Sequence, residues 1–429
     1  MPPENDDSRR PFLHAIPNKP FIGAAREFVR MQLALNNRLN IANKDLEHLK
    51  NLPADSGAIL ISNHADEMDP RICLELARKC GKRFISMCNR EAFDELSGMA
   101  GWVLQHLGHF SVERGAHDSR AKDYAIDVVK RGDDVLVIFP EGEIFYLNEE
   151  IQPFHSGAIE ICMQALVQKR QENPNWTAYI VPMALKYHHR GALEKALEQR
   201  ISKMELRLNL KALSEDTFTH RLRRIQTSLL KNEQLKYGTS HDAADSATES
   251  KNPLEESDLF QEIVSTEKAL LKRIENNHPH IKVAQTPIID QSWQLGAEIR
   301  SEIKNLKSKK DSRKTKKEKK KILEAELAEL NEVAHLSSWR PHYYEGEVPL
   351  DRLSEVVLKL ERELYQIKRP RQLTRRDVLV KISEPIDLGQ FIDEYMEDSH
   401  GFRHKFTDSL HSHIQGMVDE LVHRARILR

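Results

Sequence analysis

Short apolar runs that alternate with helical segments constrain the fold of this chain most. The runs that read as buried strands are Ala58–Ile61, Phe84–Met87, Val135–Phe139 and Tyr179–Leu185. Helical periodicity separates them, most clearly over 119–130 and in a helix starting near Asp69, where Asp69 suits the N-cap and Pro70 the first helical position. Strands that alternate with helices in this way predict an α/β fold, a central sheet flanked by helices.

The remaining sequence divides by composition. Residues 1–43 combine a flexible start with an amphipathic helix over 21–41, and residues 44–190 hold the α/β domain. Residues 191–375 are long charged segments with helical periodicity, and 376–429 contain a return strand and a final amphipathic helix. We therefore expect a large charged α-helical insertion before the last strand of the α/β domain. The apolar stripe along 21–41 fits either core packing or an interfacial anchor.

Overall composition excludes some classes of protein. The 65 Lys and Arg residues balance 66 Asp and Glu residues, so net charge indicates no partner. The four cysteines form no C-x-x-C pair, which predicts reduced thiols in a cytoplasmic protein. The N-terminus lacks the apolar core of a secretion signal, and no 18-residue apolar span is present. Any membrane contact is therefore expected to be peripheral.

The segment after the first apolar run contains the residues that are candidates for catalysis. It reads Ser62-Asn63-His64-Ala65-Asp66-Glu67-Met68-Asp69, with a histidine five residues before an aspartate. A carboxylate that accepts one ring N–H of an imidazole leaves the other nitrogen able to act as a base. One such pair is expected by chance in a chain with 20 histidines. Alone, Asp69 reads as a helix cap and His64 as a loop residue, so the interpretation depends on the segments that follow.

Three further segments occur in order. They are Gly108-His109-Phe110-Ser111-Val112-Glu113-Arg114, then Phe139-Pro140-Glu141-Gly142, then Val181-Pro182-Met183-Ala184. Together with N-H-x-x-x-x-D they resemble the four blocks of the glycerophospholipid acyltransferase superfamily, all within 63–184. The return strand over 380–386 is similar to the closing strand of that family. The resemblance implies an O-acyltransferase of phospholipid synthesis that needs neither cofactor nor metal. Its donor would be acyl-CoA or acyl-carrier protein, and its acceptor lysophosphatidate, glycerol 3-phosphate or a related hydroxyl.

The resemblance also implies residue roles. His64 would be the catalytic base and Asp69 the group that orients it. Arg114, with Arg90 as a second candidate, would bind the acceptor phosphate, because a guanidinium can grip a phosphate through two parallel bonds. The remaining substrate-binding candidates are Glu141, through a glycerol hydroxyl or by holding an arginine, Gly142 in its turn, and Pro182 in the wall of the site or acyl channel. The family continues its third block with Thr-Arg-Ser, whereas Glu143-Ile144-Phe145 stands here, so we expect a bulkier or differently held acceptor.

Other features leave alternatives open. The lysine-rich run over 304–321 fits a solvated helix or arm, or a surface for anionic lipid headgroups. It lacks the aromatic interleaving of a nucleic-acid site, so we expect no nucleic-acid partner. His400 and His404 could share a helix face, but no Cys or carboxylate cluster completes a metal site. We expect a protein on the inner face of a membrane. The alternative function is a catalytically silent lipid-binding adaptor that recruits partners through its helical insertion.

Overall fold

A computed structural model describes residues 10–116, 118–211, 217–238, 254–306 and 312–427. Its strands are β1 Asn37–Ile41, β2 Ser56–Ser62, β3 Phe84–Asn89, β4 His109–Val112, β5 Val135–Ile138, β6 Thr177–His189, β7 Arg376–Ile382 and β8 Ile386–Asp387. Its helices are α1 Lys19–Asn36, α2 Asn43–Lys50, α3 Asp69–Cys80, α4 Arg90–Asp94, α5 Met99–Leu107, α6 Ser119–Arg131, α7 Gly157–Arg170, α8 Leu193–Arg207, α9 Phe218–Tyr237, α10 Glu256–Asn277, α11 Ile288–Asn305, α12 Arg313–Leu336, α13 Leu350–Tyr365, α14 Ile392–Glu397 and α15 Ser399–Ile427.

The chain forms two compact units. The α/β unit comprises the described parts of Phe12–Glu113, Asp118–Gly191 and Thr374–Arg429. The helical unit comprises the described parts of Met1–Pro11, Arg114–His117 and Ala192–Leu373. The predicted α/β class with a large helical region is therefore confirmed. Within the described residues, no helix is both long and apolar enough to cross a bilayer.

The α/β unit is built on one eight-stranded sheet with the order β1-β7-β6-β2-β5-β3-β4, and β8 pairs with β6. The strands from β6 to β4 are mutually parallel, whereas β7 and β8 run antiparallel to β6. Ile59 and Ile61 of β2 pack in the core under α6, α7 and α15, and Ala58 and Leu60 pack in the core under α1, α2 and α3. Both faces of the sheet are thus covered, which explains why its central strands are continuously apolar in sequence.

The helical unit holds α8 to α13 around two apolar clusters. The larger cluster joins α8, α9 and α13, and includes the buried Trp339 and Tyr344. The smaller cluster joins α10, α11 and α12 through residues such as Ile274, Leu295 and Leu330. The lysine-rich run falls at the end of α11 and the start of α12, and its residues 307–311 lie outside the described part of the chain.

Two local predictions were wrong. The helix predicted over 21–41 ends at Asn36, because residues 37–41 form β1 and pair with β7, a tertiary contact that overrides helical periodicity. Asp69 is not the N-cap of α3: Met68 holds that position, and Asp69 and Pro70 are the first two helical residues.

Pro182 lies inside β6, a central strand of the sheet. Its carbonyl accepts from the Ser383 N–H at 3.0 Å. The nitrogen and the carbonyl of a residue point to the same side of a strand, so the Pro182 nitrogen faces residues 383–385, between β7 and β8. These residues form no strand that pairs with β6, so the missing N–H of the proline costs the sheet no hydrogen bond.

Candidate active site

Two adjacent parallel strands end at the same place and bring the first and third blocks together. β2 ends at Ser62 and β5 ends at Ile138, and Ile61 lies opposite Ile138 in the ladder. The next residues are therefore neighbours, and the rings of His64 and Phe139 stack with centroids 4.2 Å apart and an interplanar angle of 18°. Gly142 closes the turn after β5 with a φ of +74°, which favours glycine.

His64 and Asp69 are in direct contact. Nδ1 of His64 lies 2.8 Å from Oδ2 of Asp69, and the Asp69 side chain is fully buried. With the proton on Nδ1, the imidazole keeps Nε2 as its basic nitrogen. Burial would lower the pKa of His64, but the hydrogen bond and charge of Asp69, supported by the charges of Glu141 and Glu143, raise it above its ordinary value. This geometry suits a base whose protonated form is stabilised.

Asp69 is itself held from the other side. Its Oδ2 accepts the Asp66 backbone N–H at 3.0 Å, and its Oδ1 accepts the Tyr187 hydroxyl at 2.6 Å. Burial first, and then the charges of Asp69 and Asp66, raise the pKa of Tyr187 well above its ordinary value, so the phenol remains a donor. Arg376 completes the support, because its guanidinium pairs with Asp66 at 2.7 Å and lies 4.4 Å from the centroid of the Tyr187 ring.

The sequence analysis did not identify Tyr187 or Arg376 as site residues. A sequence pattern could have indicated Tyr187 but not Arg376. Tyr187 continues a strand that was recognised as far as Leu185. Arg376 is 310 residues from Asp66, and no local pattern connects them.

Two asparagines fasten the loops of the site to β6. The Asn63 side chain accepts from Leu185 N at 2.8 Å and donates to Leu185 O at 3.0 Å. The Asn148 side chain does the same for Tyr187, at 2.9 and 2.8 Å. Each amide reproduces the pair of bonds that a neighbouring strand would make. The backbone of β6, and with it the Tyr187 side chain, is thereby fixed relative to the His64 loop.

Glu141 is buried and holds two loops through their backbones. Oε1 accepts the N–H of His64 at 2.6 Å, and Oε2 accepts the N–H of Gln152 at 2.9 Å. Burial raises the pKa of Glu141 to about 7, although both backbone bonds oppose that rise. Glu141 thus positions His64 in this structure, and its predicted contact with the acceptor stays a prediction.

The two predicted phosphate ligands follow neighbouring parallel strands, β3 and β4. Arg90 is buried at the start of α4, and its Nη1 donates to Asp94 at 2.5 Å. Arg114 belongs to the helical unit, where its guanidinium lies 5.1 Å from the centroid of the Trp293 ring. Their phosphate-binding role stays a prediction.

A histidine oriented by a buried carboxylate thus lies at the carboxyl ends of parallel strands in an α/β unit, an arrangement whose geometry suits a general base. Residues 44–186, which contain all four blocks, match the protein-family model described as Acyltransferase. An 88-residue stretch, 20% of this chain, is 33% identical to the 1-acyl-sn-glycerol-3-phosphate acyltransferase of Streptococcus pneumoniae and covers 32% of that protein. The chain thus spans about a third of this curated relative. No solved structure matches the chain. Residues 44–186 are thus similar to acyltransferases, and part of the chain is similar to a 1-acyl-sn-glycerol-3-phosphate acyltransferase.

Proposed function

We propose that the α/β unit transfers a fatty acyl group from a thioester to a hydroxyl of a glycerol-phosphate-type acceptor. The single observation that carries the proposal is the 2.8 Å contact between His64 and the buried Asp69. Acyl-CoA and acyl-carrier protein are the candidate donors, and lysophosphatidate and glycerol 3-phosphate are the candidate acceptors.

In the proposed reaction, Nε2 of His64 takes the acceptor proton while the oxygen attacks the thioester carbonyl. A neutral alcohol is a poor nucleophile, so removal of its proton in the transition state lowers the barrier. Asp69 stabilises the imidazolium that forms. When the tetrahedral intermediate collapses, the carbon–sulfur bond breaks and the imidazolium proton passes to the departing sulfur. The acceptor oxygen is itself the nucleophile, so no acyl-enzyme is required.

The developing oxyanion needs donors from the protein. The N–H groups of His64, Asp66 and Gly142 already donate to Glu141, Asp69 and Phe139. We propose that other backbone N–H groups of the loop between Ser62 and Asp69 donate to the oxyanion. Arg114 and Arg90 are proposed to bind the acceptor phosphate.

We also propose that the α/β unit binds a membrane surface peripherally, on the cytoplasmic leaflet. Val29 and Leu33 of α1 pack in the core, whereas Phe28, Met31 and Leu35 are each 59% exposed. The nearby segment 96–102 exposes Leu96, Met99 and Trp102, and the Trp102 ring contacts Phe21 of α1 with centroids 5.3 Å apart. Exposed apolar side chains on a helix with arginines are typical of interfacial binding.

The test is product analysis. Purified protein is offered mixed acyl-CoA and acyl-carrier-protein donors with glycerol 3-phosphate and lysophospholipids, and products are identified by mass spectrometry. We expect one acylated glycerol phosphate whose formation disappears in His64→Ala and persists in His404→Ala, a control on the exposed surface of α15. Vesicle binding without any acylated product would instead favour the silent adaptor, and turnover by His64→Ala would contradict the mechanism.

A further inference from the structure

The helical unit contains a second group of ligating side chains that acyl transfer does not use. His278 follows the last residue of α10, His280 lies two residues further on, and Glu302 lies on α11. One nitrogen of each histidine and one oxygen of Glu302 all lie within 4.8 Å of one another. Pro279 separates the two histidines and restricts the backbone between them.

His278 is oriented by a buried carboxylate. Its Nε2 lies 2.8 Å from Oε2 of Glu326 on α12, and Asn277 donates to the other oxygen of Glu326 at 2.9 Å. His278 and Glu326 are only 5% and 7% exposed. The carboxylate holds the proton on Nε2, which leaves Nδ1 of a neutral His278 as a lone pair. A histidine ligand that donates its other N–H to a carboxylate is the usual arrangement around a bound metal.

The lone pair of His278 faces another acceptor. Nδ1 of His278 lies 3.4 Å from Oε1 of Glu302, and the same oxygen lies 2.7 Å from Nε2 of His280. Two acceptors that face each other repel unless a proton or a cation lies between them. Two imidazoles and one carboxylate form the ligand set that zinc and similar divalent transition metals prefer, whereas magnesium and calcium prefer all-oxygen sites.

We propose that His278 Nδ1, His280 Nε2 and the Glu302 carboxylate bind one divalent transition metal of the zinc type. The His280 side chain is 65% exposed, so the metal has access from solvent and water can fill the fourth position. The site joins the end of α10 to α11 directly and to α12 through Glu326. Its role is to add a metal cross-link to three helices that share a small apolar cluster.

A second group in the same unit serves as a contrast. Glu332, His335 and Glu363 also bring three ligating atoms within 4.8 Å of one another. It offers one imidazole instead of two, and the Arg362 guanidinium already donates to Glu363 at 2.7 Å. A fixed cation beside the carboxylate opposes binding of a second cation. We therefore assign the metal to the His278 site alone.

The test uses the full chain without an affinity tag, stripped with a chelator. Zinc binding is measured by calorimetry, and cobalt is added separately because its visible spectrum reports a tetrahedral site with nitrogen ligands. We expect one tightly bound ion and a higher melting temperature with zinc. His280→Ala, an exposed position that should fold, is expected to abolish binding. Glu326→Gln is expected to weaken binding by about 10- to 100-fold. His342→Ala, an exposed histidine of the same unit, serves as the matched control and should bind like wild type.

Two results would overturn the proposal. One is equal zinc affinity in wild type and His280→Ala, which would place binding elsewhere. The other is a melting temperature that does not respond to zinc and falls as pH rises through the imidazole range. That behaviour would mean that a proton on His278, and no metal, lies between Nδ1 and Glu302.

Discussion

Replacing Asp69 by asparagine separates the charge of this residue from its shape. The carboxylate accepts three hydrogen bonds, from the His64 ring, the Asp66 N–H and the Tyr187 hydroxyl. If the amide NH2 replaces Oδ2, it meets the Asp66 N–H donor to donor. In the opposite orientation, the amide oxygen accepts from His64 and Asp66, and the Tyr187 hydroxyl can rotate to accept from the NH2. We therefore expect Asp69→Asn to keep the histidine tautomer and lose only the charge.

The size of the loss follows from that charge. Two unit charges 4 Å apart interact by about 4 kcal/mol at an effective dielectric constant of about 20. The transition state carries only part of the imidazolium charge, and the amide keeps a dipole. A loss of about 2–4 kcal/mol is about 30- to 1,000-fold in kcat, at 1.36 kcal/mol for each factor of ten. In addition, burial of His64 is no longer opposed by Asp69, so the pKa of His64 falls. The acid limb of the pH profile of kcat/KM is therefore expected to move to lower pH.

The assay is thiol release from acyl-CoA with the acceptor that product analysis identifies, followed across the imidazole pH range. Asp123→Asn, on the exposed face of α6, is the matched control and should behave like wild type. In the double variant Asp69→Asn/Tyr187→Phe, the new amide loses the Tyr187 hydroxyl that accepts its hydrogen bond. The fold-decrease in kcat of the double variant should therefore exceed the product of the fold-decreases of the two single variants. An Asp69→Asn enzyme with wild-type kcat and an unmoved acid limb would refute the assignment of His64 as a base oriented by this carboxylate.

Three further predictions concern stability and membrane binding. Tyr187→Phe alone removes a hydrogen bond to a buried charge and should lower the free energy of unfolding by about 1.5–3 kcal/mol in urea titrations; no change would mean that Asp69 does not need this donor. Glu141 has a folded pKa of about 7 against an ordinary value of 4.5, so its contribution to stability is present below pH 4.5 and declines by about 3 kcal/mol as pH rises to about 7. Unfolding of Glu141→Gln should lack that decline, and an identical pH dependence in both proteins would contradict the shift. Met31→Glu with Leu35→Glu should weaken sedimentation with anionic vesicles by at least about tenfold, since each exposed apolar side chain contributes about 1.5–3 kcal/mol on burial, while Met396→Glu, a comparably exposed apolar position on α14, should not.

The strands that could be predicted from sequence are those whose local sequence is apolar throughout and whose place in the structure is buried on both faces. The runs around 58–61, 135–139 and 179–185 became β2, β5 and β6, which are adjacent in the sheet and covered on both faces. A strand buried on both faces needs apolar residues at every position, so it is visible in a single sequence. The contact between His64 and Asp69 was accessible for a similar reason, because both residues belong to one short segment.

The unpredicted part depends on residues far apart in the chain. β1 has the polar sequence Asn-Arg-Leu-Asn-Ile and exists because it pairs with β7, more than 330 residues away. Asn37 of β1 also accepts a hydrogen bond from Arg376, which supports Asp66. Asp69 was misread as a cap because capping statistics are local, whereas its carboxylate is committed to His64 and Tyr187. Propensity and periodicity carry no information about such distant partners.

The position of the helical insertion links these distant partners. β6 ends at His189 and β7 begins at Arg376, and the two residues lie opposite each other in an antiparallel ladder that the bond from Arg190 N to Arg375 O extends at 2.7 Å. A hairpin turn would suffice there, yet about 180 residues, Ala192–Leu373, intervene. A disordered loop of that length costs about 4 kcal/mol more to close than a two-residue turn, at about 0.6 kcal/mol per doubling. A folded unit whose two ends meet removes most of that cost. Because β7 carries Arg376, we expect unfolding of the insertion to weaken the pairing of β7 with β6 and the support that Arg376 gives to Asp66 and Asp69.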